Sequence, residues 1–147
     1  MHNMFLRLSV MAVLSFVAMY LLMYTMIDKS ADFYPSVSMV YMAGSMTAAM
    51  VIIELIVMSE MYKNAMPRNI LIGVSALFLV AFVLFTRYQT GIYDKDFLRS
   101  MIPHHSGAIL MCANPRLEDP EIISLCRTIT EGQQQEIDQM KAIMERK

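Results

Sequence analysis

The residues with the most distinctive chemistry lie in the last third of the chain, where two adjacent histidines stand among methionines and cysteines. Thioether and thiolate sulfur are soft ligands that favour copper(I), and imidazole also binds copper. This combination predicts a metal site for copper(I), with silver and zinc as alternative ions. The candidate ligands are His104, His105, Met101, Met111, Met140, Met144, Cys112 and Cys126.

Helical periodicity places the first group of these candidates on two neighbouring stripes of one amphipathic helix. One stripe recurs at steps of three and four residues and consists of Phe97, Met101, His104, Ala108 and Met111. The adjoining stripe consists of Leu98, His105, Ile109 and Cys112. We expect Pro103 either to kink this helix or to mark its first turn, and Asn114 and Pro115 to end it.

A second helix has a clear start signal. Asp119 is expected to be its N-cap, Pro120 its first helical residue and Glu121 an acidic residue of its first turn. The helix can continue to about Arg146. Its predicted inner face consists of Ile122, Leu125, Cys126, Ile129, Gln133, Ile137, Met140 and Met144.

Folding these two helices back on each other about Asp119 predicts which residues lie at the same level. The predicted pairs are Cys112 with Cys126, His105 with Gln133, and Leu98 with Met140. The error of this register is about one helical turn either way. The soft-ligand residues are therefore expected to face inward together.

The role of each candidate stays open at this level. The two cysteines could be ligands, free thiols or, outside the cytoplasm, a disulfide. One histidine could hydrogen-bond to Gln133, Gln134 or Glu136 and orient the site without binding the ion. Alternatively, both histidines and the methionines are surface or packing residues.

Other metal chemistries fit the pattern less well. A structural zinc site needs four nitrogen or sulfur ligands, and the two cysteines with one histidine nearly supply them. A ferritin-like di-iron enzyme needs Glu-x-x-His pairs, and neither His104 nor His105 has a glutamate three residues before it. No catalytic triad, phosphate-binding loop or dinucleotide fingerprint is present, so we expect no enzyme.

The rest of the chain indicates a membrane region that carries the hairpin. The chain is 56% hydrophobic and 17% charged, and three apolar stretches approach the ~20 residues that cross a bilayer. We expect spans at about 5–27, 34–59 and 69–88, a transmembrane region over 1–91 and a soluble hairpin over 92–147. The first stretch could be a signal peptide, but its apolar run is too long and lacks a cleavage site.

The net charge of -1 argues against a nucleic-acid partner.

Methionines recur along each of the first two predicted spans and form two rows. They are Met4, Met11, Met19, Met23 and Met26 in the first, and Met42, Met46, Met50 and Met58 in the second. These rows either pack helix against helix or pass a soft cation along. Glu54 interrupts the second row, and it is either functional or extends to the membrane interface. Gly44, Ser45, Ala48 and Ala49 form a small-residue patch that permits close helix contact.

The hairpin resembles a known family. The runs MIPHHSGAILMC, DPEIISLC and GQQQEIDQMKAIM are similar to the domain-of-unknown-function 305 family, over about Asp94 to Met144. The resemblance implies an all-α, ferritin-like helical bundle and binding of copper or silver outside the cytoplasm. Larger members contain two or more hairpins, so a single hairpin implies a homodimer that forms a four-helix bundle. Many members lack the cysteines, so no role of Cys112 or Cys126 carries over.

Together these features predict a membrane-anchored protein that binds copper(I) or silver for buffering, tolerance or transfer. The short loops favour a cytoplasmic second loop and therefore a hairpin on the periplasmic or extracellular side. A copper-donor or copper-acceptor protein would be a natural partner. The alternatives are a structural module that dimerises through the hairpin without metal, and a small copper channel that uses the membrane methionines.

Overall fold

The computed structural model describes residues 2–62 and 64–146, and this part of the chain is all-helical without strands. Five α-helices are present: α1 His2–Leu22, α2 Val37–Val57, α3 Ala65–Tyr88, α4 Asp94–Cys112 and α5 Pro120–Arg146. Two short 3-10 helices, Met23–Met26 and Ser30–Asp32, lie between α1 and α2. The predicted all-α class is therefore confirmed.

Three of the helical segments are long and apolar enough to cross a membrane. They are Met4–Met26, Val37–Val57 and Ala65–Tyr88, with 23, 21 and 24 residues. Since an α-helix rises about 1.5 Å per residue, each can cover a hydrocarbon core of about 30 Å. They coincide with the predicted spans to within about one turn, which is consistent with membrane association.

The chain divides into two compact units. The first contains Ser38–Gly91 and the segment that ends at Met23. In it the small-residue patch of α2 serves close packing: a Cβ on Gly44 would lie 2.8 Å from the Phe82 ring. Ala48 of the same patch is buried. Glycine at position 44 therefore lets an aromatic ring of α3 approach the α2 backbone.

The second unit contains Tyr24–Val37 and the chain from Ile92 onward. Here α4 and α5 form the predicted antiparallel hairpin around an apolar core of Leu98, Ile102, Ile109, Ile137 and Met140. The segment between α1 and α2, which we call the inter-span loop (Tyr24–Val37), packs in this unit. The sequence did not predict that this loop belongs with the hairpin.

The start of α5 follows its sequence signal. The Asp119 carboxylate accepts hydrogen bonds from the backbone N–H groups of Glu121 and Ile122, at 2.8 and 3.2 Å. These bonds satisfy two of the amides that a helix leaves without intrahelical partners. The predicted N-cap is therefore confirmed. Pro103 lies within α4 and is buried, so it does not mark the first turn.

The predicted inner face of α5 is wrong at its beginning. Ile122 and Leu125 are exposed, whereas Ile137 and Met140 are buried. The reason is geometric: α4 ends at Cys112, which pairs with Cys126. The turns of α5 before Cys126 therefore extend beyond the end of α4, and no residue of α4 covers them.

Candidate functional site

A disulfide joins Cys112, the last residue of α4, to Cys126 in α5, with Cα atoms 5.1 Å apart. The predicted pairing of these two residues is confirmed. The prediction that they are metal ligands is corrected, because a disulfide has no thiolate to offer to a metal. The same correction removes the zinc site that would have used both cysteines.

His105 is buried, and both of its ring nitrogens have oxygen partners. Nδ1 lies 2.8 Å from the backbone carbonyl of Met101, and Nε2 lies 2.7 Å from a carboxylate oxygen of Glu136. Because a carbonyl can only accept, Nδ1 must carry a hydrogen and donate it. A hydrogen bond between Nε2 and the Glu136 carboxylate of α5 requires a hydrogen on Nε2 as well, so a metal could bind Nε2 only by replacing that hydrogen. A hydrogen bond from one of the two histidines to Glu136 was among the three predicted.

Three of the predicted methionines lie at the same seam between the two helices, which we call the hairpin seam. Met140 is part of its buried core, and Met101 and Met144 pack against that core. Met101 stands one turn before His105 on α4, and Met140 stands one turn after Glu136 on α5. The pairing of His105 with Glu136, rather than Gln133, differs from the predicted register by three residues, within its error of one turn.

The remaining two candidates do not face the seam. His104 is exposed, and Met111 is 60% exposed. Adjacent residues on a helix point about 100° apart, and α4 packs on α5 through the stripe that contains His105. The expectation that all soft-ligand residues face inward together is therefore wrong for His104 and Met111. Their part in metal binding stays a prediction.

The sequence analysis missed a buried polar network beside the seam. Asp32 of the inter-span loop is 3% exposed. Its two carboxylate oxygens accept hydrogen bonds from the Lys141 ammonium of α5, at 2.6 Å, and from the Ser106 hydroxyl of α4, at 2.7 Å. Ser106 also accepts a hydrogen bond from the backbone N–H of Asp28, at 2.8 Å. We call these side chains, Asp32, Ser106 and Lys141, the loop latch.

A close approach of backbones lies next to the latch. A Cβ on Gly107 would be 3.3 Å from the carbonyl oxygen of Met26, so glycine lets the inter-span loop approach α4. A small polar residue followed by glycine, directly after His105, was the one sequence signal that could have indicated a backbone crossing here. Nothing local to Asp32 marks it as buried.

No group of three or more His, Cys, Asp or Glu side chains is placed to hold a metal ion in the described ranges, 2–62 and 64–146. The same ranges contain no buried side-chain nitrogen or oxygen without a hydrogen-bond partner. The polar and sulfur groups that the seam contains are the His105 imidazole, the Glu136 carboxylate and thioether sulfur. Such a set suits a soft monovalent ion better than Zn²⁺ or Mg²⁺.

The methionines of the two rows in the first unit differ in their exposure. Met42 and Met46 of α2 are exposed, while Met19 is half-buried and near the Thr47 hydroxyl, with its sulfur 3.8 Å away. Glu54 is half-buried and accepts a hydrogen bond from the Tyr62 hydroxyl at 3.3 Å. Burial of Tyr62, together with this carboxylate, raises the pKa of its phenol.

These observations define an all-helical protein in which three helices able to cross a membrane are joined to a disulfide-closed hairpin. Residues 85–144 match the family described as "Domain of unknown function (DUF305)", and the chain belongs to this family. It is also similar to "Uncharacterized protein L153" of Acanthamoeba polyphaga mimivirus, with 32% identity over 148 residues, 99% of this chain and 94% of that protein. This similarity extends over the apolar helices as well as the hairpin. No solved structure matches the chain.

Proposed function

We propose that this protein is a membrane-anchored binder of copper(I) or silver(I), and that the ion is held at the hairpin seam. His105 would bind it through Nε2, and Met101, Met140 and Met144 would supply thioether sulfur. The protein would buffer the metal or transfer it to a partner protein. The observation that carries the proposal is the orientation of His105.

The Met101 carbonyl orients His105 in the way that outer partners orient metal-binding histidines. Nδ1–H donates to that carbonyl and fixes the ring so that Nε2 faces Glu136. An ion that binds Nε2 would replace the hydrogen that Nε2 shares with this carboxylate. The partner of Nε2, Glu136, has a side chain that is 57% exposed. It can therefore rotate into solvent when an ion arrives, or remain as a nearby negative charge.

The surroundings of Nε2 favour a soft ion. Met101, Met140 and Met144 belong to or contact an apolar core of leucine and isoleucine. A strongly hydrated cation would lose its water there without gaining oxygen ligands. Copper(I) and silver(I) accept thioether and imidazole ligands and require few of them. The donor set at the seam thus fits these ions.

The disulfide supports an extracytoplasmic hairpin, and the unit shared by the inter-span loop and the hairpin supports three membrane spans. Disulfides persist in oxidising compartments such as the periplasm or the cell exterior. The inter-span loop and the hairpin also form one compact unit, so both must lie on the same side of the membrane. This is the case if α2 and α3 cross the bilayer in opposite directions. We propose that the three apolar helices span the bilayer and that the hairpin lies outside the cytoplasm.

We further propose a homodimer through the closed end of the hairpin. Met111, Ile122 and Leu125 are exposed there, beyond the cover that α4 gives to α5. A second copy would bury these side chains and complete a four-helix bundle. Leu125→Asp should then convert the purified dimer to a monomer in light scattering, whereas Arg127→Asp, an exposed neighbour, should leave it dimeric. A wild-type protein that is monomeric would refute this part.

The central test is a titration of the full chain with copper(I) against a chromophoric chelator. His105→Ala should weaken binding by at least about tenfold. His104→Ala is the matched control, because it removes an adjacent imidazole that is exposed, and it should leave the affinity unchanged. Equal losses in the two variants would contradict the proposed role of Nε2.

A structural module is the second candidate function, because the polar groups at the seam are already satisfied without metal. In this alternative the disulfide and the loop latch hold a rigid hairpin that only mediates association. The same titration separates the two functions. Failure of the wild-type protein to compete with chelators of any strength would support the structural module and refute the metal site.

A further inference from the structure

The first unit contains an open cavity of about 1080 Å³. Four methionines line it, and they come from segments that are remote in sequence. Met4 and Met11 belong to α1, whereas Met58 and Met61 follow the end of α2. The fold thus brings four thioether side chains to one cavity, a grouping that neither methionine row predicted by itself.

Glu54 lines the same cavity and supplies its negative charge. Its carboxylate accepts one hydrogen bond, from the buried Tyr62 hydroxyl, and it forms no ion pair with a described residue. An ionisable side chain one turn from the end of an apolar helix is costly unless it has a charged or polar partner. The Tyr62 hydroxyl is one such partner, and a bound cation would be a second.

Packing accounts for only half of these methionines. Met4 and Met11 contact the core formed by Leu8, Leu55 and Tyr62. Met58 and Met61 are 42% and 52% exposed and lie beyond the end of the candidate span Val37–Val57. Neither core packing nor contact with lipid tails explains methionine at positions 58 and 61.

We propose that this cavity is a second site for a soft monovalent cation, copper(I) or silver(I), with Met4, Met11, Met58, Met61 and Glu54 as its ligands. Thioether sulfur selects such ions over zinc, magnesium and calcium. Arg7 also lines the cavity, and its positive charge disfavours a divalent ion more than a monovalent one.

The experiment uses the full chain in detergent, labelled with ¹³C at the methionine methyl groups, and silver(I) as a probe that does not change oxidation state. The chain has 17 methionines, and single Met→Leu variants assign the relevant signals. We expect the methyl signals of Met4, Met11, Met58 and Met61 to shift together as silver is added. The signals of Met42 and Met46, which lie outside the cavity, should not shift with them.

Variants then test the ligand set. Met58→Leu combined with Met61→Leu, and separately Glu54→Gln, should each weaken silver binding at Met4 and Met11 by at least about tenfold. Met42→Leu combined with Met46→Leu is the matched control and should have no effect. Absence of any shift at the four cavity methionines, with signals that show a folded protein, would overturn the proposal.

The same spectra keep this proposal separate from that of the hairpin. Shifts at Met101, Met140 and Met144 report on the hairpin seam, and His105→Ala should abolish those shifts alone. Loss of the cavity shifts in His105→Ala would mean that the cavity does not bind silver by itself, and would refute the second site. Either site can thus fail while the other is retained.

Discussion

Replacement of Lys141 by methionine tests the loop latch, because it removes the charge that pairs with a buried carboxylate. Lys141 Nζ lies 2.6 Å from Asp32, whose residue exposure is 3%. The variant leaves this carboxylate with one donor, the Ser106 hydroxyl. Removing one partner of a buried ion pair typically costs 3–5 kcal/mol. The Lys141 side chain is 28% exposed, so water can enter its place. We therefore expect the variant to lower the free energy of loop opening by about 3 kcal/mol, the lower end of that range.

The assay is hydrogen exchange of the Asp28 backbone amide, which donates to Ser106 and is released when the inter-span loop leaves the hairpin. A loss of about 3 kcal/mol corresponds to roughly hundredfold faster exchange. Lys29→Met is the matched control, since Lys29 joins the same loop to Gln134 through an exposed hydrogen bond. Exposed contacts of this kind contribute little, so its exchange rate should stay within a few-fold of wild type.

A double variant shows whether the charge is the cause. Asp32→Asn combined with Lys141→Met removes both charges, so only hydrogen bonds of about 1 kcal/mol each are lost. We expect the double variant to be more stable against loop opening than Lys141→Met alone. The reasoning fails if Lys141→Met exchanges no faster than the Lys29→Met control, or if the double variant is the less stable of the two.

Three further predictions concern the hairpin core and the first unit. Cys112→Ser should lower the free energy of unfolding of the hairpin by about 3 kcal/mol, the value for a closed loop of about 15 residues, as measured by denaturant unfolding of oxidised and variant protein. Gly132 of α5 faces open space, so Gly132→Ala should stabilise the helix by up to about 1 kcal/mol. Gly107→Ala should not stabilise it, because the new Cβ would press on the backbone carbonyl of Met26. Equal effects of the two variants in thermal unfolding would contradict the close approach of Met26 to Gly107. The raised pKa of Tyr62 means that its stabilising contribution is present below the ordinary tyrosine pKa of about 10 and is lost as the pH rises through the raised value. Phenolate absorbance should then show that Tyr62→Phe removes a tyrosine that titrates above the ordinary tyrosine pKa, and that Glu54→Gln brings this titration to lower pH.

Features with a local physical cause were predictable from the sequence. Asp119 followed by Pro120 begins α5 because a carboxylate at that position satisfies free amides of the first turn. The three apolar helices were predictable because a run of about 20 uncharged, apolar residues has the length and composition of a membrane-spanning helix. The pairing of Cys112 with Cys126 followed from counting back from a single reversal point.

Features that depend on which stripe of a helix meets its neighbour were not predictable. Two adjacent histidines offer two stripes, and periodicity alone assigned both to the interior. Only the packing of α4 on α5 places His105 at the seam and leaves His104 exposed. Similarly, the length difference between α4 and α5 leaves Ile122 and Leu125 uncovered.

The amino-acid sequence by itself determined the helices, their reversal points and the supply of sulfur and imidazole side chains, because these depend on hydrophobic runs, caps and residue type within a few positions. The tertiary structure alone decided which of these side chains meet. It joined Asp32 to Lys141 across more than a hundred residues, and it brought methionines of α1 and of the segment after α2 to one cavity with Glu54. Contacts of such sequence separation are set by how helices pack on one another, and a local pattern carries no record of that packing.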